Sequence, residues 1–373
     1  MATKLRFFTK TFFLICNFIV AFFFLLACLA PYMNPQRWWI ISFLGLAFPF
    51  ILLTMLIFLI WWLFIKRKYA LISAITLLLG IKSILIFYAF HATWSFHQKK
   101  DPGAIRIVTW NVARFIEMKK NNNKGSQTRL KMMEMIKAQD ADVICLQEFF
   151  HSNNPDWYPN INYIRDNLHY PYYYFSRDHD GYNHYTGSII FSRYPIIDSG
   201  IIRYPKPTLP DALIHADIKI NDEVVRVYTT HLQSLQFGKQ DYQKIDDIKG
   251  GNDSMISNSR TIVSKFKRGV VNRSIQANII KDEIKDSPYP MVFCGDLNDI
   301  PNSYTYATIK GNMQDAFLKK GFGIGRTFSS LSPTLRIDYV FADSRCKILQ
   351  FNRLMKRYSD HYMLVTDVEL KNQ

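Results

Sequence analysis

In residues 291–301, polar side chains directly follow a short apolar segment. The run Met-Val-Phe-Cys is followed by Gly295, Asp296 and Asn298, and Pro301 comes shortly after. A β-rich apolar run that stops at a glycine is typical of a buried strand. Polar groups just beyond such a strand lie at the rim of a sheet, where α/β proteins place their chemistry. Taken alone, the same residues also fit an ordinary turn.

Similar polar side chains follow other apolar segments of the chain. The full set is Asn111, Glu148, His231, Asp296, Asn298, Asp338, Asp360 and His361. Carboxylate and amide oxygens are the hard ligands that suit Mg²⁺ or Mn²⁺ in sites that also bind substrate phosphate. Glu148, Asn111 and Asp360 are therefore the candidate metal ligands.

The other members of the set have the chemistry needed to hydrolyse a phosphoester. Asp296 can orient or deprotonate a water molecule, and Asn298 can donate hydrogen bonds to a phosphoryl oxygen. His361 polarised by Asp338 would stabilise developing negative charge, and His231 would give a proton to the leaving oxygen. Together these roles describe in-line displacement at phosphorus. For a single strand-end Glu or His, a surface cap or a satisfied structural group is an equally ordinary interpretation.

The segments that would position these side chains alternate between strand and helix patterns after residue 101. Hydrophobic periodicity predicts strands at 105–112, 142–148, 186–193, 212–220, 224–230, 291–294, 336–341 and 362–366, and helices at 129–138, 270–284 and 315–320. The two segments 212–220 and 224–230 are predicted to form a hairpin. The polar segment 233–269 is predicted to be a solvated, flexible arm.

The first hundred residues have a different composition from the rest of the chain. They contain no Asp or Glu, and three apolar runs, at roughly 11–30, 38–65 and 69–90, each reach the ~20 residues that a membrane-spanning helix needs. Pro49 is expected to kink the second run. The net charge of +16 divides into +10 for residues 1–100 and +6 for the remainder. The basic excess thus belongs mainly to the membrane segment and favours a polyanionic substrate only mildly.

The cations that flank these apolar runs predict an orientation. Lys and Arg accumulate on the cytoplasmic side of membrane helices, which places the amino terminus in the cytoplasm and the chain from residue 101 onward outside it. We therefore expect a bacterial cell-membrane protein with an anchor at 1–100 and an extracytoplasmic catalytic domain at 101–373. The cations are Lys4, Arg6 and Lys10 before the first run, Arg37 in the first loop, and Lys66, Arg67 and Lys68 before the third run.

Three further features of the sequence leave alternatives open. The five cysteines do not form a disulfide framework. Residues up to Cys28 resemble a lipoprotein cleavage box, although an apolar cysteine within a helix explains them as well. Lys82 lies inside the third apolar run, where it would either extend toward the interface or contact a lipid phosphate.

Seven short motifs occur in an order that resembles the endonuclease/exonuclease/phosphatase superfamily, to which DNase I and exonuclease III belong. They are Thr-Trp-Asn-Val at 109–112, Leu-Gln-Glu at 146–148, the segment 187–195, Thr-His-Leu at 230–232, Gly-Asp-Leu-Asn at 295–298, Arg-Ile-Asp-Tyr at 336–339 and Ser-Asp-His at 359–361. The resemblance covers about residues 104–370. It implies a four-layer αββα sandwich and Mg²⁺-dependent cleavage of phosphoesters.

The resemblance also implies roles for individual residues. Glu148 would bind the metal with Asn111 beside it, and Asp360 would be a ligand or a support. Asp296 would activate water, Asn298 would orient the phosphate, and Asp338 would orient His361. His231 matches the histidine of the DNase-like and sphingomyelinase-like branches, whereas the abasic-site endonucleases use a tyrosine, which argues against a DNA-repair role.

Three functions are consistent with these observations. The first is a membrane-anchored nuclease that cleaves DNA or RNA, which the resemblance favours. The second is a phosphodiesterase or phosphatase that acts on lipid head groups, which the anchor and the aromatic-rich segment 169–185 favour. The third is a non-catalytic scaffold that binds anionic ligands, against which the intact set of polar groups argues.

Overall fold

The computed structural model describes residues 2–91, 96–120, 124, 126–181, 183–208, 211–250 and 255–371. Its helices fall into an amino-terminal apolar group and a later group interspersed with strands. They are α1 (Ala2–Cys28), α2 (Pro35–Ile65), α3 (Arg67–Leu79), α4 (Ile81–Phe87), α5 (Thr128–Lys137), α6 (Asn160–Leu168), α7 (Lys239–Gly250), α8 (Met255–Ile284), α9 (Tyr304–Lys310) and α10 (Ala316–Lys320).

The strands are short and nearly all follow residue 104. They are β1 (Ala89–Phe90), β2 (Ile105–Asn111), β3 (Val143–Ser152), β4 (Tyr172–Phe175), β5 (Asp178–His179), β6 (His184–Ser192), β7 (Ile196–Arg203), β8 (Ala212–Ile220), β9 (Glu223–His231), β10 (Met291–Asp296), β11 (Gln314–Asp315), β12 (Phe322–Gly323), β13 (Asp338–Ala342), β14 (Cys346–Leu354) and β15 (Met363–Leu370). One sheet has the order β11-β13-β10-β9-β8-β7. The other has the order β14-β15-β2-β3-β6-β4, with β5 paired to β6, and β1 and β12 form a separate two-stranded sheet.

The two large sheets pack face to face and each carries helices on its outer face. Apolar side chains on both faces of β10 account for this arrangement. Val292 and Cys294 join the core between the sheets, while Phe293 packs against α8 and α9 on the outer face. On the opposite sheet, Ile144 and Leu146 of β3 pack against α5 and α6. The order of layers is therefore helix, sheet, sheet, helix, and the predicted four-layer αββα sandwich is confirmed.

Two of the amino-terminal helices are long and apolar enough to cross a membrane, at Phe7–Tyr32 and Pro35–Ile65. The third predicted span is not one straight helix, because α3 and α4 meet at a 63° bend. The bend lies at Gly80, where a Cβ atom would come within 2.3 Å of the Phe24 ring on α1. Inside α2 the non-helical backbone lies at Trp38, and a kink at Pro49 stays a prediction.

The sandwich rests directly on the amino-terminal half of α2. The rings of Phe43 and Phe266 lie 4.5 Å apart, and the ammonium of Lys267 lies 5.3 Å from the centre of the Trp39 ring. The Asn302 side chain donates a hydrogen bond of 2.9 Å to the carbonyl of Ala27 at the end of α1. These contacts hold α8 and the loop before α9 against the carboxyl end of α1 and the amino-terminal part of α2.

The prediction of a flexible arm at 233–269 is wrong. Most of this segment is helical: α7 covers Lys239–Gly250, and the predicted helix at 270–284 is the second half of a longer α8. Residues 251–254 lie outside the described part of the chain. The first half of α8 is held by contacts with the rest of the protein, such as that of Phe266 with α2. The sequence interpretation also omitted α6, α9, β7 and β14.

Candidate active site

Strand alternation directs the candidate residues toward the space between the two sheets. On β2 the inward positions run through Ile107 and Thr109 to Asn111, and on β10 they run through Cys294 to Asp296. The same parity places His231 at the end of β9 and Asp338 at the start of β13. The strands therefore bring these side chains to one edge of the inter-sheet core.

Strand register sets the neighbours of Asp296. Asp296 lies opposite His231 on the parallel strand β9 and opposite Asp338 on the antiparallel strand β13. Its side chain is fully buried. Gly295 makes this register possible, because its φ of +151° disfavours other residues and a Cβ atom there would lie 2.3 Å from the carbonyl oxygen of Thr230. The glycine of the sequence motif thus has a structural role, to let β9 approach closely.

Asn111 links the carboxylates of the two sheets. Its Nδ2 donates hydrogen bonds to Asp296 Oδ2 at 3.0 Å and to Glu148 Oε1 at 3.1 Å. Its Oδ1 accepts a hydrogen bond from the backbone N–H of Ala113 at 3.1 Å, which fixes the orientation of the amide. Two carboxylate oxygens therefore converge on one point.

Glu148 does not lie at the end of its strand, so that part of the prediction is wrong. Strand β3 continues to Ser152, and its register with β6 shifts between Leu146 and Phe149. Glu148 lies in this bulge with φ of +47°, a left-handed conformation that is uncommon for a non-glycine residue. The bulge redirects the side chain, which is 39% exposed.

His361 is buried and is held by Asp338, as the sequence motifs implied. Its Nδ1 lies 3.0 Å from both carboxylate oxygens of Asp338. Burial lowers the pKa of His361, but Asp338, Asp296 and Asp360 outweigh it and raise that pKa to about 10. Burial raises the pKa of Asp338 to about 6 despite the adjacent imidazole. The Asp338 carboxylate therefore favours the protonated form of the His361 ring.

His231 has a carboxylate partner that the sequence interpretation missed. Its Nδ1 lies 3.0 Å from Asp211 Oδ2. Burial lowers the pKa of His231, but Asp211, Asp296 and Glu148 outweigh it and raise that pKa to about 10. A signal for Asp211 was present, because the predicted hairpin pairs Leu213 with Thr230 and so brings Asp211 beside the end of β9.

The two imidazoles approach Asp296 from its two sides. The Nε2 atoms of His231 and His361 each lie 3.7 Å from Asp296 Oδ2. Each ring is held at Nδ1 by its own carboxylate, Asp211 or Asp338. A central carboxylate that can accept a proton is thus flanked by two imidazoles that can donate one.

Asn298 contacts His231 directly. Its Nδ2 lies 3.0 Å from His231 Nε2 and 2.9 Å from the carbonyl oxygen of Leu232. The contact with Nε2 is a hydrogen bond only when that nitrogen is unprotonated, whereas the surrounding carboxylates favour the protonated ring. In the protonated ring, Nε2 also lies 3.6 Å from Glu148 Oε1, an electrostatic contact that is too long for a hydrogen bond. Contact of Asn298 with phosphate stays a prediction.

Asp360 is the predicted residue that stands apart from this cluster. Its side chain is exposed, and its Oδ1 accepts a hydrogen bond of 3.2 Å from the hydroxyl of Ser359. It borders the same pocket as Glu148 and His361. A role as a metal ligand stays a prediction for Asp360.

The donor set fits a hard divalent cation. Asp296, Asp338 and His361 have ligand atoms within 4.8 Å of one another, and the Glu148 and Asp296 oxygens converge on Asn111. The four carboxylates of the cluster outnumber its two imidazoles, so negative charge remains there even when both rings are protonated. Carboxylate and amide oxygens suit Mg²⁺ or Mn²⁺ better than softer metals.

A cavity of about 260 Å³ opens beside these groups. Its polar side contains Glu148, His231, Asp296, Asn298, Asp360 and His361. The remaining walls are largely apolar and include Phe266 of α8 together with Ser42 and Leu46 of α2. No pattern in the sequence indicated that the amino-terminal helices reach this pocket.

Comparisons with known proteins agree with this architecture. The model of the Endonuclease/Exonuclease/phosphatase family matches residues 108–361, and that of a domain of unknown function (DUF8431) matches residues 10–87. A search of curated proteins finds no match.

Two solved structures illustrate the similarity of fold. An endonuclease/exonuclease/phosphatase from Beutenbergia cavernae has a TM-score of 0.52 and 20% identity, over 72% of this chain and 72% of that chain. A humanized D. rerio TDP2 with 14 mutations has a TM-score of 0.50 and 16% identity, over 72% of this chain and 99% of that chain. At such identities the likeness shows the fold alone.

Proposed function

The chain belongs to the endonuclease/exonuclease/phosphatase family, and on this premise we propose that it is a membrane-anchored, divalent-metal-dependent phosphoester hydrolase. One observation carries the proposal: Asp296 Oδ2 lies 3.0 Å from the Asn111 amide and 3.7 Å from each of two imidazoles. These groups come from both sheets and from positions 250 residues apart. A fold maintained only for stability has no need to bury such a set together.

The residues of the site divide the work of hydrolysis among them. Asp296 accepts the proton of the attacking water, and the Asn111 amide keeps its carboxylate in place. His361, paired with Asp338, stabilises the negative charge that develops on the phosphoryl oxygens. His231, paired with Asp211, gives a proton to the leaving oxygen.

Glu148 and Asp296 are the residues that would hold the metal, with Asp360 as a further candidate ligand. Asn111 would contact the metal through Oδ1 only with its amide turned over, because Oδ1 here accepts the hydrogen bond from Ala113. When bound, Mg²⁺ or Mn²⁺ would supply Lewis-acid stabilisation of phosphoryl charge at this site. Glu148 is suited to this role because the bulge leaves its carboxylate partly exposed, at 39%.

The amino-terminal helices would anchor the enzyme, with residues 1–100 as the anchor and 101–373 as the catalytic domain. The sandwich contacts α2 near Trp39 and Phe43, while Lys66, Arg67 and Lys68 lie at the other end of the helix. By the positive-inside rule, the triple-cation end is cytoplasmic. The catalytic domain would then lie on the extracytoplasmic side of a bacterial cell membrane.

Nucleic acid is the substrate that the family resemblance favours, and a nuclease is therefore the first specific activity to test. The experiment uses the full chain in detergent micelles with DNA, RNA and the soluble diester bis(p-nitrophenyl) phosphate, each with Mg²⁺ or with EDTA. Asp296→Asn removes the proposed proton acceptor, and Asp222→Asn in the exposed β8–β9 turn is the matched control.

We expect metal-dependent cleavage of the soluble diester by the wild type and the control but not by Asp296→Asn. Equal rates for Asp296→Asn and the wild type would refute the proposed role of Asp296. If no substrate here and no lipid phosphoester is cleaved in a metal-dependent way, the scaffold function replaces the hydrolase.

A further inference from the structure

The catalytic pocket is bounded partly by a membrane helix. Ser42 and Leu46 of α2 line the same cavity as Asp296 and His361. Both α2 residues are partly exposed rather than sealed within the helix bundle. A substrate in this pocket therefore touches the anchor and the catalytic groups at once.

The contact between α2 and the sandwich leaves no room for an intervening layer. A Cβ atom on Gly45 would lie 2.7 Å from the backbone oxygen of Asn302, so the helix backbone and the sandwich meet directly there. Phe43 packs on Phe266, and Phe266 itself lines the cavity. The position of the pocket along α2 is thus set by packing.

The length of α2 places the pocket at the membrane surface. The part of α2 after the break at Trp38, residues 39–65, extends for about 40 Å, whereas the hydrocarbon core is about 30 Å thick. With Ile65 and the cationic turn at the cytoplasmic interface, about the first seven residues of this part project beyond the core. Leu46 then lies at the boundary of hydrocarbon and head groups, and Ser42 lies at head-group level.

The pocket has little charge with which to bind a polyanion. Among the described residues that line the pocket, Arg273 is the one Lys or Arg side chain, and the two histidines are the other basic groups. Its guanidinium is already paired with Asp299 at 3.2 Å and donates to the Gln233 carbonyl at 3.0 Å. Nucleic acids are bound mainly through many phosphate contacts with Lys and Arg. This lining suits one phosphate next to apolar surface.

The apolar surface continues away from the catalytic groups. Besides Leu46 and Phe266, the cavity is lined by Leu235, Phe237, Leu331 and Leu335. Leu331 is 44% exposed, so this apolar wall reaches the protein surface. This apolar wall can accommodate the hydrocarbon part of a substrate whose phosphoester lies at the catalytic groups.

We propose that the substrate is a membrane phospholipid, whose phosphoester enters the pocket beside α2 while its acyl chains stay in the bilayer along Leu46. The inference rests on the proposed function and specifies its substrate class. In the reaction, the water oxygen forms a bond to phosphorus and the bond from phosphorus to one ester oxygen breaks. Asp296 takes the water proton, and His231 gives a proton to the departing oxygen, so the products are a phosphate or phosphate monoester and an alcohol.

The test compares lipid and soluble esters with the full chain reconstituted in vesicles. The vesicles consist of phosphatidylcholine alone or with phosphatidic acid, phosphatidylglycerol or sphingomyelin, and bis(p-nitrophenyl) phosphate is the soluble reference. Leu46→Trp fills the pocket from the α2 side. Leu53→Trp is the matched control, because Leu53 lies on the same helix with 57% of its surface exposed.

We expect metal-dependent release of a lipid product, and we expect Leu46→Trp to lower the ratio of lipid to soluble-ester hydrolysis by about tenfold or more, as for other altered apolar pockets. Leu53→Trp should leave the ratio unchanged. Cleavage of the soluble ester or of nucleic acid, but of no lipid, would overturn this inference and leave the proposed function intact. Cleavage of none of them would refute both. An equal ratio in both tryptophan variants would refute the role of α2.

Discussion

Replacing Asp211 by asparagine tests whether this residue, which belongs to none of the sequence motifs, supports His231 as the proton donor. Asp211 Oδ2 lies 3.0 Å from His231 Nδ1, and Asn keeps the size of the side chain while removing its charge. A hydrogen bond to a charged partner contributes about 1.5–3 kcal/mol. If this hydrogen bond contributes its full free energy to the transition state, then Asp211→Asn lowers kcat by about ten- to hundredfold.

The leaving group of the substrate distinguishes this effect from a general loss of activity. A p-nitrophenolate leaves without a proton, whereas an alkoxide needs one. We therefore expect Asp211→Asn to slow hydrolysis of a dialkyl phosphate strongly and hydrolysis of bis(p-nitrophenyl) phosphate only slightly. Asp222→Asn, in an exposed turn, controls for the loss of one negative charge.

The pH profile provides a second readout for the same variant. The acid role requires protonated His231, so activity falls as pH rises through the pKa of His231. Asp211 is the largest of the carboxylate influences that raise this pKa to about 10. Its replacement should move the alkaline limb of the profile to lower pH. An unmoved limb, with both substrates slowed equally, would refute the assignment of His231 as the acid.

Three further substitutions test other parts of the structure. Asp338→Asn removes the negative charge beside His361 and should lower kcat on both substrate types by about ten- to hundredfold; an unchanged kcat would contradict the role of the pair. Arg336→Met leaves Asp315 buried without its partner at 2.6 Å, which should cost about 3–5 kcal/mol and lower the Tm of the full chain in detergent by about 10 °C. The exposed pair Lys347–Glu369 supplies the control Lys347→Met, with less than about 1 kcal/mol expected, so equal Tm losses would contradict the burial argument. Gly295→Ala should lower both Tm and activity, because the Cβ atom would lie 2.3 Å from the Thr230 oxygen; a wild-type Tm would show that β9 and β10 can separate.

Much of the site was predictable because strand geometry is local. Alternation along an apolar run decides which face a residue takes, so the inward positions of Asn111 and Asp296 follow from their neighbours. The ends of adjacent strands meet at one edge, which brings polar groups that are distant in sequence together. The αββα sandwich itself was predicted by the family resemblance that the ordered motifs carry, and not by strand geometry.

The parts that the sequence did not predict depend on contacts between distant segments. The bulge at Glu148 arises from a register shift against β6, and no residue type near Glu148 demands it. Helix α8 begins far earlier than its apolar pattern suggested, because its amino-terminal half packs on α2 through Phe266. Ser42 and Leu46 resemble any other residues of an apolar helix until the helix is placed beside the pocket.

One Mn²⁺ titration, in which metal binding and hydrolysis are followed together, tests whether this edge of the sheets forms a metal-dependent phosphoester site. The full chain in detergent is titrated with Mn²⁺ while bound metal is measured by electron paramagnetic resonance and cleavage of bis(p-nitrophenyl) phosphate is measured in parallel. The variants are Glu148→Gln and, as the matched control, Glu223→Gln on an exposed strand end. We predict that hydrolysis rises with metal occupancy in the wild type and the control, and that Glu148→Gln weakens both together. Full metal binding and full hydrolysis in Glu148→Gln would contradict a metal-centred phosphoester site at this edge of the sheets.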